Sequence, residues 1–216
     1  MARPPVRAGL LLLAVLALPL TSARAQQPPA SLQSVAFDPP PPAVLAELQQ
    51  HPVLLADKPN ESDDDHSGRA QAWVLFQQPR LEVLRLLAST PRQQEYRPEL
   101  TRLQVIEASE HGDVAEYRVR FMLTTLVYRA RHGWDLDSGR VWWTLDPSFD
   151  NDMQVLDGLW ELRELDAKHT LGRFSTRISM GPALPAFLQE YATRKKLPDS
   201  MEQVRRWVDS DGAWRP

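Results

Sequence analysis

From Val114 to Leu123 the chain alternates by residue type. Ala115, Tyr117, Val119, Phe121 and Leu123 fall on one face, and Glu116, Arg118 and Arg120 on the other. Successive side chains of a strand point to opposite faces, so this pattern predicts a strand with one face buried. The same period recurs at Val141, Trp143 and Leu145. It recurs again from Thr170 to Met180, where Phe174, Thr176 and Ile178 oppose Arg173, Ser175 and Arg177. Gln71 to Phe76, the Leu103–Ile106 stretch, Leu126 to Trp134 and Gly158 to Leu162 are strand-like in their aromatic and β-branched content. His111-Gly112-Asp113, Asp137-Ser138-Gly139 and Asp166-Ala167-Lys168 read as turns between them.

Two stretches carry the helical period instead. Pro79 opens one, with Leu81, Val83, Leu84, Leu87 and Ala88 on a single side, and Thr90-Pro91 ends it before a short turn closed by Pro98. The second begins near Pro185 with Leu184, Phe187, Leu188 and Tyr191. Pro198 predicts a kink or break there, after which Met201, Val204, Trp207 and Val208 resume the stripe. The order is strand, helix, short helix, about six antiparallel strands, then a long helix. An antiparallel sheet of this size has one apolar face, and the terminal amphipathic helix is what remains to cover it. The predicted class is α+β: a curved antiparallel sheet wrapped around a long C-terminal helix, with room for a cavity between them.

The N-terminus is organised differently. Arg3 and Arg7 precede an apolar run from Leu10 to Leu20, and Ala23-Arg24-Ala25 follows. A basic start, a short apolar segment and an A-x-A site predict a secretory signal peptide over 1–25, cut after Ala25. That places the protein in a periplasm or outside the cell. Residues 26–42 hold Pro28, Pro29, Pro39, Pro40, Pro41 and Pro42, which predicts an extended arm. A short helix over Val44, Leu45 and Leu48 and an acidic loop at Asp63-Asp64-Asp65 complete an arm over 26–69 that is expected to be loosely attached. The folded domain is expected over 70–209, with 210–216 as a tail.

In its order of segments the chain resembles the START-like (helix-grip, SRPBCC) superfamily, in its polyketide cyclase/dehydrase and coenzyme-Q-binding START-domain branches. The resemblance spans 70–209. It rests on Pro79-Arg-Leu-Glu-Val-Leu-Arg-Leu-Leu, Tyr96-Arg-Pro, Val141-Trp-Trp-Thr-Leu, Gly158-Leu-Trp-Glu-Leu and Thr170-Leu-Gly-Arg-Phe. Leu184-Pro-Ala-Phe-Leu and Leu197-Pro-Asp-Ser-Met-Glu-Gln-Val-Arg-Arg-Trp-Val complete it. The resemblance implies a helix-grip fold and a hydrophobic pocket between sheet and C-terminal helix that takes a lipid, quinone, sterol or polycyclic compound. The signal segment and the Pro-rich arm depart from intracellular members, which favours an exported lipophile binder over a ubiquinone role.

Composition removes several classes of function. Among 216 residues there is no Cys, so neither a disulfide framework nor a thiolate metal site exists. The formal charge is −3, and loss of Arg3, Arg7 and Arg24 makes the exported chain more acidic still. That balance argues against a nucleic-acid partner. His51, His66, His111, His132 and His169 show no metal-ligand spacing. The acidic run 63–65 lacks the spaced ligands of a calcium loop; Asp146, Asp150, Asp152 and Asp157 could gather a hard cation, but loop solubility explains them equally well. Arg173 and Arg177, with Glu116, Arg118 and Arg120, read as cross-strand ion pairs on a solvated sheet face, with an anionic head group as the sharper alternative. No nucleophile or phosphate-loop motif is present, so no catalytic residue, cofactor or metal is assigned.

The ligand-lining candidates are Tyr117, Phe121, Trp143, Trp160, Phe174, Phe187 and Tyr191. Each is individually more often plain core packing. Strand alternation places His132 beside Tyr128, where it could offer a ligand a hydrogen bond or act as a base. The sequence therefore predicts an exported carrier of a hydrophobic small molecule or lipid, with transient membrane contact. Two rivals stand: an aromatase/cyclase-type enzyme using His132, Tyr117 and Arg177, and an interaction module whose pocket is closed.

Overall fold

The computed structural model describes residues 28–30, 37, 40–55, 68–121, 124–180 and 196–216. Helix α1 spans Pro42–Gln50 and strand β1 Val53–Leu55. Strand β2 (Gly68–Phe76), helix α2 (Arg80–Leu87) and a 3-10 helix (Thr90–Glu95) follow. The middle of the chain is β3 (Leu100–Ser109), β4 (Gly112–Phe121), β5 (Thr124–Asp135), β6 (Arg140–Leu145), β7 (Val155–Asp166) and β8 (His169–Ser179). Helix α3 spans Leu197–Asp209. The eight strands form one antiparallel, unclosed sheet in the order β1-β2-β8-β7-β6-β5-β4-β3.

The period-2 pattern settles the inner face. Ala115, Tyr117 and Val119 of β4, Tyr128 and Ala130 of β5, and Phe174 of β8 are all buried on it. Ala72, Val74 and Phe76 of β2 continue that face and pack against α2 and α3. Helix α3 buries Met201, Val204, Trp207 and Val208, the stripe predicted from their spacing. Pro198 lies in its first turn, where a missing N–H breaks no intrahelical bond. The earlier part of the expected long helix lies outside the described residues, as does the segment 1–25.

Glu95 ties the C-terminal end to the 3-10 helix. Its Oε2 accepts from Trp207 Nε1 at 3.0 Å, from Arg92 at 3.0 Å and from Arg215 at 3.0 Å. The Arg92 hydrogen bond holds the Glu95 carboxyl below its ordinary range. Residues 210–216 are thus bound in place: Arg215 reaches Glu95, and Trp214 packs on the core.

Two expectations need correction. The arm is not loosely attached where it is described. Strand β1 adds to the sheet edge through Val53↔Val74 and Leu55↔Ala72. Phe37 and Leu48 are buried with Leu75 and Leu171 against the outer face of β2 and β8. An edge strand offers a row of free backbone groups, and β1 covers that of β2. The second correction concerns Arg173, expected on a solvated face. It is 3% exposed, and its guanidinium pairs with Glu161, itself 5% exposed. The Phe37 ring lies 5.0 Å from Arg173 and 4.3 Å from Arg163, so the arm roofs this pair.

The acidic loop after β6 has a structural task. Asp146 accepts from Arg131 at 2.8 Å and from Ser148, and Asp152 accepts from the Val127 amide at 2.6 Å. Asn151 takes the Arg129 amide at 2.8 Å. β6 is shorter than β5, and these side chains occupy backbone donors that β6 leaves unpaired.

Candidate functional site

Between the inner sheet face and α3 lies a cavity of about 250 Å³. Three strands supply its aromatic wall. Trp143 and Phe174 have ring centres 5.9 Å apart, Trp160 and Phe174 5.0 Å, and Phe76 and Trp160 5.8 Å. Phe76 packs behind this wall, and Trp143, Trp160 and Phe174 face the cavity. Leu87 and Ala88 at the end of α2 and Leu197, Met201 and Val204 on α3 close the other side.

Glycine makes the wall possible. Gly158 is the register partner of Trp143, and Gly172 lies beneath Phe76 and Trp160. Without a Cβ at these two points the large rings lie down on the neighbouring strand.

The opposite end of the cavity is polar. Tyr117 and Tyr128 are register partners on β4 and β5, stacked at 5.0 Å with their planes 8° apart. Asp113 and His132 are also partners, four residues along the same strands on the side away from the β4–β5 hairpin. His132 Nδ1 is 2.6 Å from Asp113 Oδ1, and its Nε2 is 2.9 Å from the Tyr117 hydroxyl. Ala115 and Ala130, paired between them, leave the space over which the imidazole and phenol meet. Asp113, His132 and Tyr117 are all buried.

Arg97 stands beside this chain, just after the 3-10 helix. Its Nε donates to Glu99 at 3.0 Å and its Nη1 to Gln93 at 3.1 Å. Burial opposes the Arg97 charge, and the Glu99 carboxylate beside it favours that charge. Burial pushes the Tyr96 hydroxyl up to about 12. Burial also raises Tyr117, reinforced by Tyr128. For Tyr128 burial again raises the pKa, while the Arg97 charge and a hydrogen bond from it act the other way. Three phenols therefore stay neutral across ordinary pH and offer hydroxyl groups to the cavity.

Of the residues singled out from sequence, Tyr117, Trp143, Trp160, Phe174 and His132 line the cavity together. Phe121 does not. It sits farther along β4 and packs with the Leu100 and Val119 cluster, because the cavity ends at Tyr117. Phe187 and Tyr191 lie outside the described residues. Arg177 does not line the cavity either, as its β8 position alternates away from Thr176 and Ile178. Sequence reading missed Tyr96, Arg97, Glu99 and Asp113 as site residues. The Tyr96-Arg-Pro segment was visible as a motif. The Asp113 contact was not, since it depends on the β4–β5 register.

With this geometry established, comparison with solved structures is decisive for the fold. A STAR-related lipid transfer protein from Xanthomonas axonopodis superposes with a TM-score of 0.60 at 12% identity, covering 73% of this chain and 98% of that one. The chain has the START-like, helix-grip fold. An aromatase/cyclase from Streptomyces sp. R1128 gives a TM-score of 0.55 at 16% identity, over 69% of this chain and 100% of that one. Human STARD10 gives 0.58 at 11% identity, over 78% and 80%. No family model matches the sequence, and no curated protein matches it. At such identities the likeness shows the fold and does not say what the cavity holds.

Proposed function

We propose that this protein is an exported binding protein that holds a hydrophobic small molecule between its sheet and α3. The observation that carries the reading is the cavity itself: about 250 Å³, walled by Trp143, Trp160 and Phe174 and floored by a small polar group of residues. An apolar hollow with few convergent polar groups is the usual form of a ligand site. Its volume lies just under the roughly 300 Å³ at which drug-sized sites begin, which favours a compact ring system or short chain. Apolar burial at about 25 cal/mol per Å² supplies the affinity without a charged contact. The Xanthomonas protein named as a lipid transfer protein supports a lipophile as cargo. Export rests on the N-terminal pattern of 1–25, and transient membrane contact on the need to collect and release such cargo.

A second reading, an enzyme of the aromatase/cyclase kind, is favoured by the Asp113–His132–Tyr117 hydrogen-bonded chain, which has the parts of an acid–base relay. A closed-pocket interaction module fits less well with a cavity of about 250 Å³.

The test is native mass spectrometry on protein purified from its own host's envelope, with extraction of bound lipophiles. A co-purifying compound supports the carrier, and a chemically altered compound after incubation supports the enzyme. In parallel, Trp143→Ala and Phe174→Ala should weaken binding of the neutral dye N-phenyl-1-naphthylamine while the chain stays folded. Protein that repeatedly arrives empty and does not take up the dye defeats the reading.

A further inference from the structure

The hydrogen-bond directions at the polar end select one kind of ligand group. An ionised Asp113 only accepts, so the His132 Nδ1 at 2.6 Å carries the proton. In the neutral ring Nε2 is then a lone pair, and Tyr117 donates its single O–H to it across 2.9 Å. These protons are assigned from the partners present. The Tyr117 oxygen is left able only to accept.

Tyr128, stacked alongside at 5.0 Å, is in the opposite condition. Arg97, a group that has only donors, lines the cavity with it and its charge favours the Tyr128 oxygen. The Tyr128 O–H remains to be given. Two near-parallel phenols that both line the cavity thus present one acceptor and one donor to it.

We propose that the Tyr117–Tyr128 pair, set by Asp113 and His132, makes the cavity specific for a lipophile bearing a hydroxyl group, an alcohol or a phenol, over one ending in a ketone, quinone or ether. The hydroxyl donates to Tyr117 and accepts from Tyr128. A carbonyl or ether oxygen accepts from Tyr128 but leaves the buried Tyr117 oxygen unmet, a loss worth roughly tenfold or more in affinity. A hydrocarbon leaves both unmet. His132 and Asp113 act here as positioning residues, since they reach the ligand through Tyr117. The inference rests on the cavity reading above and names the substrate class of that same site.

The experiment is calorimetric titration of the full exported chain with 2-naphthol, 2-methoxynaphthalene and 2-acetylnaphthalene, with N-phenyl-1-naphthylamine as the independent report on the cavity. The expected result is 2-naphthol bound at least about tenfold tighter than its methyl ether or the ketone. Tyr117→Phe, which keeps the ring stack and removes the acceptor, should erase most of that preference. A folded wild-type chain that takes up the dye but shows no preference, by binding all three naphthalenes alike or none, overturns the hydroxyl inference and leaves the cavity reading standing. Preference that survives intact in folded Tyr117→Phe overturns the role given to Tyr117. Should that variant fail to fold, the wild-type ratio decides alone. A chain that takes up neither dye nor naphthalenes defeats both.

Discussion

Trp143 lies flat across Gly158, its register partner on the neighbouring strand, and the indole occupies the space a Cβ at Gly158 would need. Trp143 owes its tilt toward Phe174, at 5.9 Å between ring centres, to that missing methyl group. Gly158→Ala should therefore lift the indole into the cavity. Dye affinity should fall about tenfold, and stability by about 1–3 kcal/mol, the usual effect of overpacking. Equal dye binding by the folded variant would show that the ring does not control the cavity.

A steep loss of stability is expected in alkali. Tyr96, Tyr117 and Tyr128 are raised by burial, Tyr96 to about 12. In the unfolded chain they ionise near about 10. The folded state then holds protons that the unfolded state has shed, so stability is fully present below about pH 10 and declines as pH rises from there through the folded values. Each such group contributes a slope of about 1.4 kcal/mol per pH unit in that window. Thermal unfolding between pH 9 and 12, followed with tyrosinate absorbance, checks this. Three phenols ionising near 10 with the chain still folded would contradict the burial argument.

The Arg173–Glu161 pair predicts an asymmetric response to mutation. Both side chains are almost fully buried under Phe37. Glu161→Ala alone should cost about 3–5 kcal/mol, since it removes the carboxylate that faces a buried guanidinium. Arg140, which also reaches Glu161 at 3.2 Å, would lose a contact too. The double change Glu161→Leu with Arg173→Leu should cost much less. Urea unfolding of the two variants decides, and a double change that costs as much as the single one or more would defeat the argument.

Leu48 is 1% exposed on α1, pressed against Leu75 and Leu171. If the arm is part of the fold, Leu48→Ala should destabilise it by about 2–5 kcal/mol, as for any buried leucine. A loosely held arm would show almost no change. The urea midpoint measures this directly.

Export makes its own prediction. Envelope fractions of the native host should contain protein beginning at Gln26. Full-length protein confined to the cytosol would remove both the localisation and the reason to discard an intracellular role.

Sequence alone determined which residues share a face. Period-2 alternation put Tyr117 with Ala115 and Val119, and put His132 with Tyr128, because a strand leaves no other choice. It also determined the apolar stripe of α3 through Met201, Val204, Trp207 and Val208. Tertiary structure decided what alternation cannot express. Register brought Asp113 opposite His132, so an acidic residue read as part of a turn became the partner that orients an imidazole. Non-local packing laid Phe37 over Arg173 and turned a face that looked solvated into a covered one. Local pattern sets the direction of each side chain, but burial depends on what a distant segment covers, and no period along the chain records that.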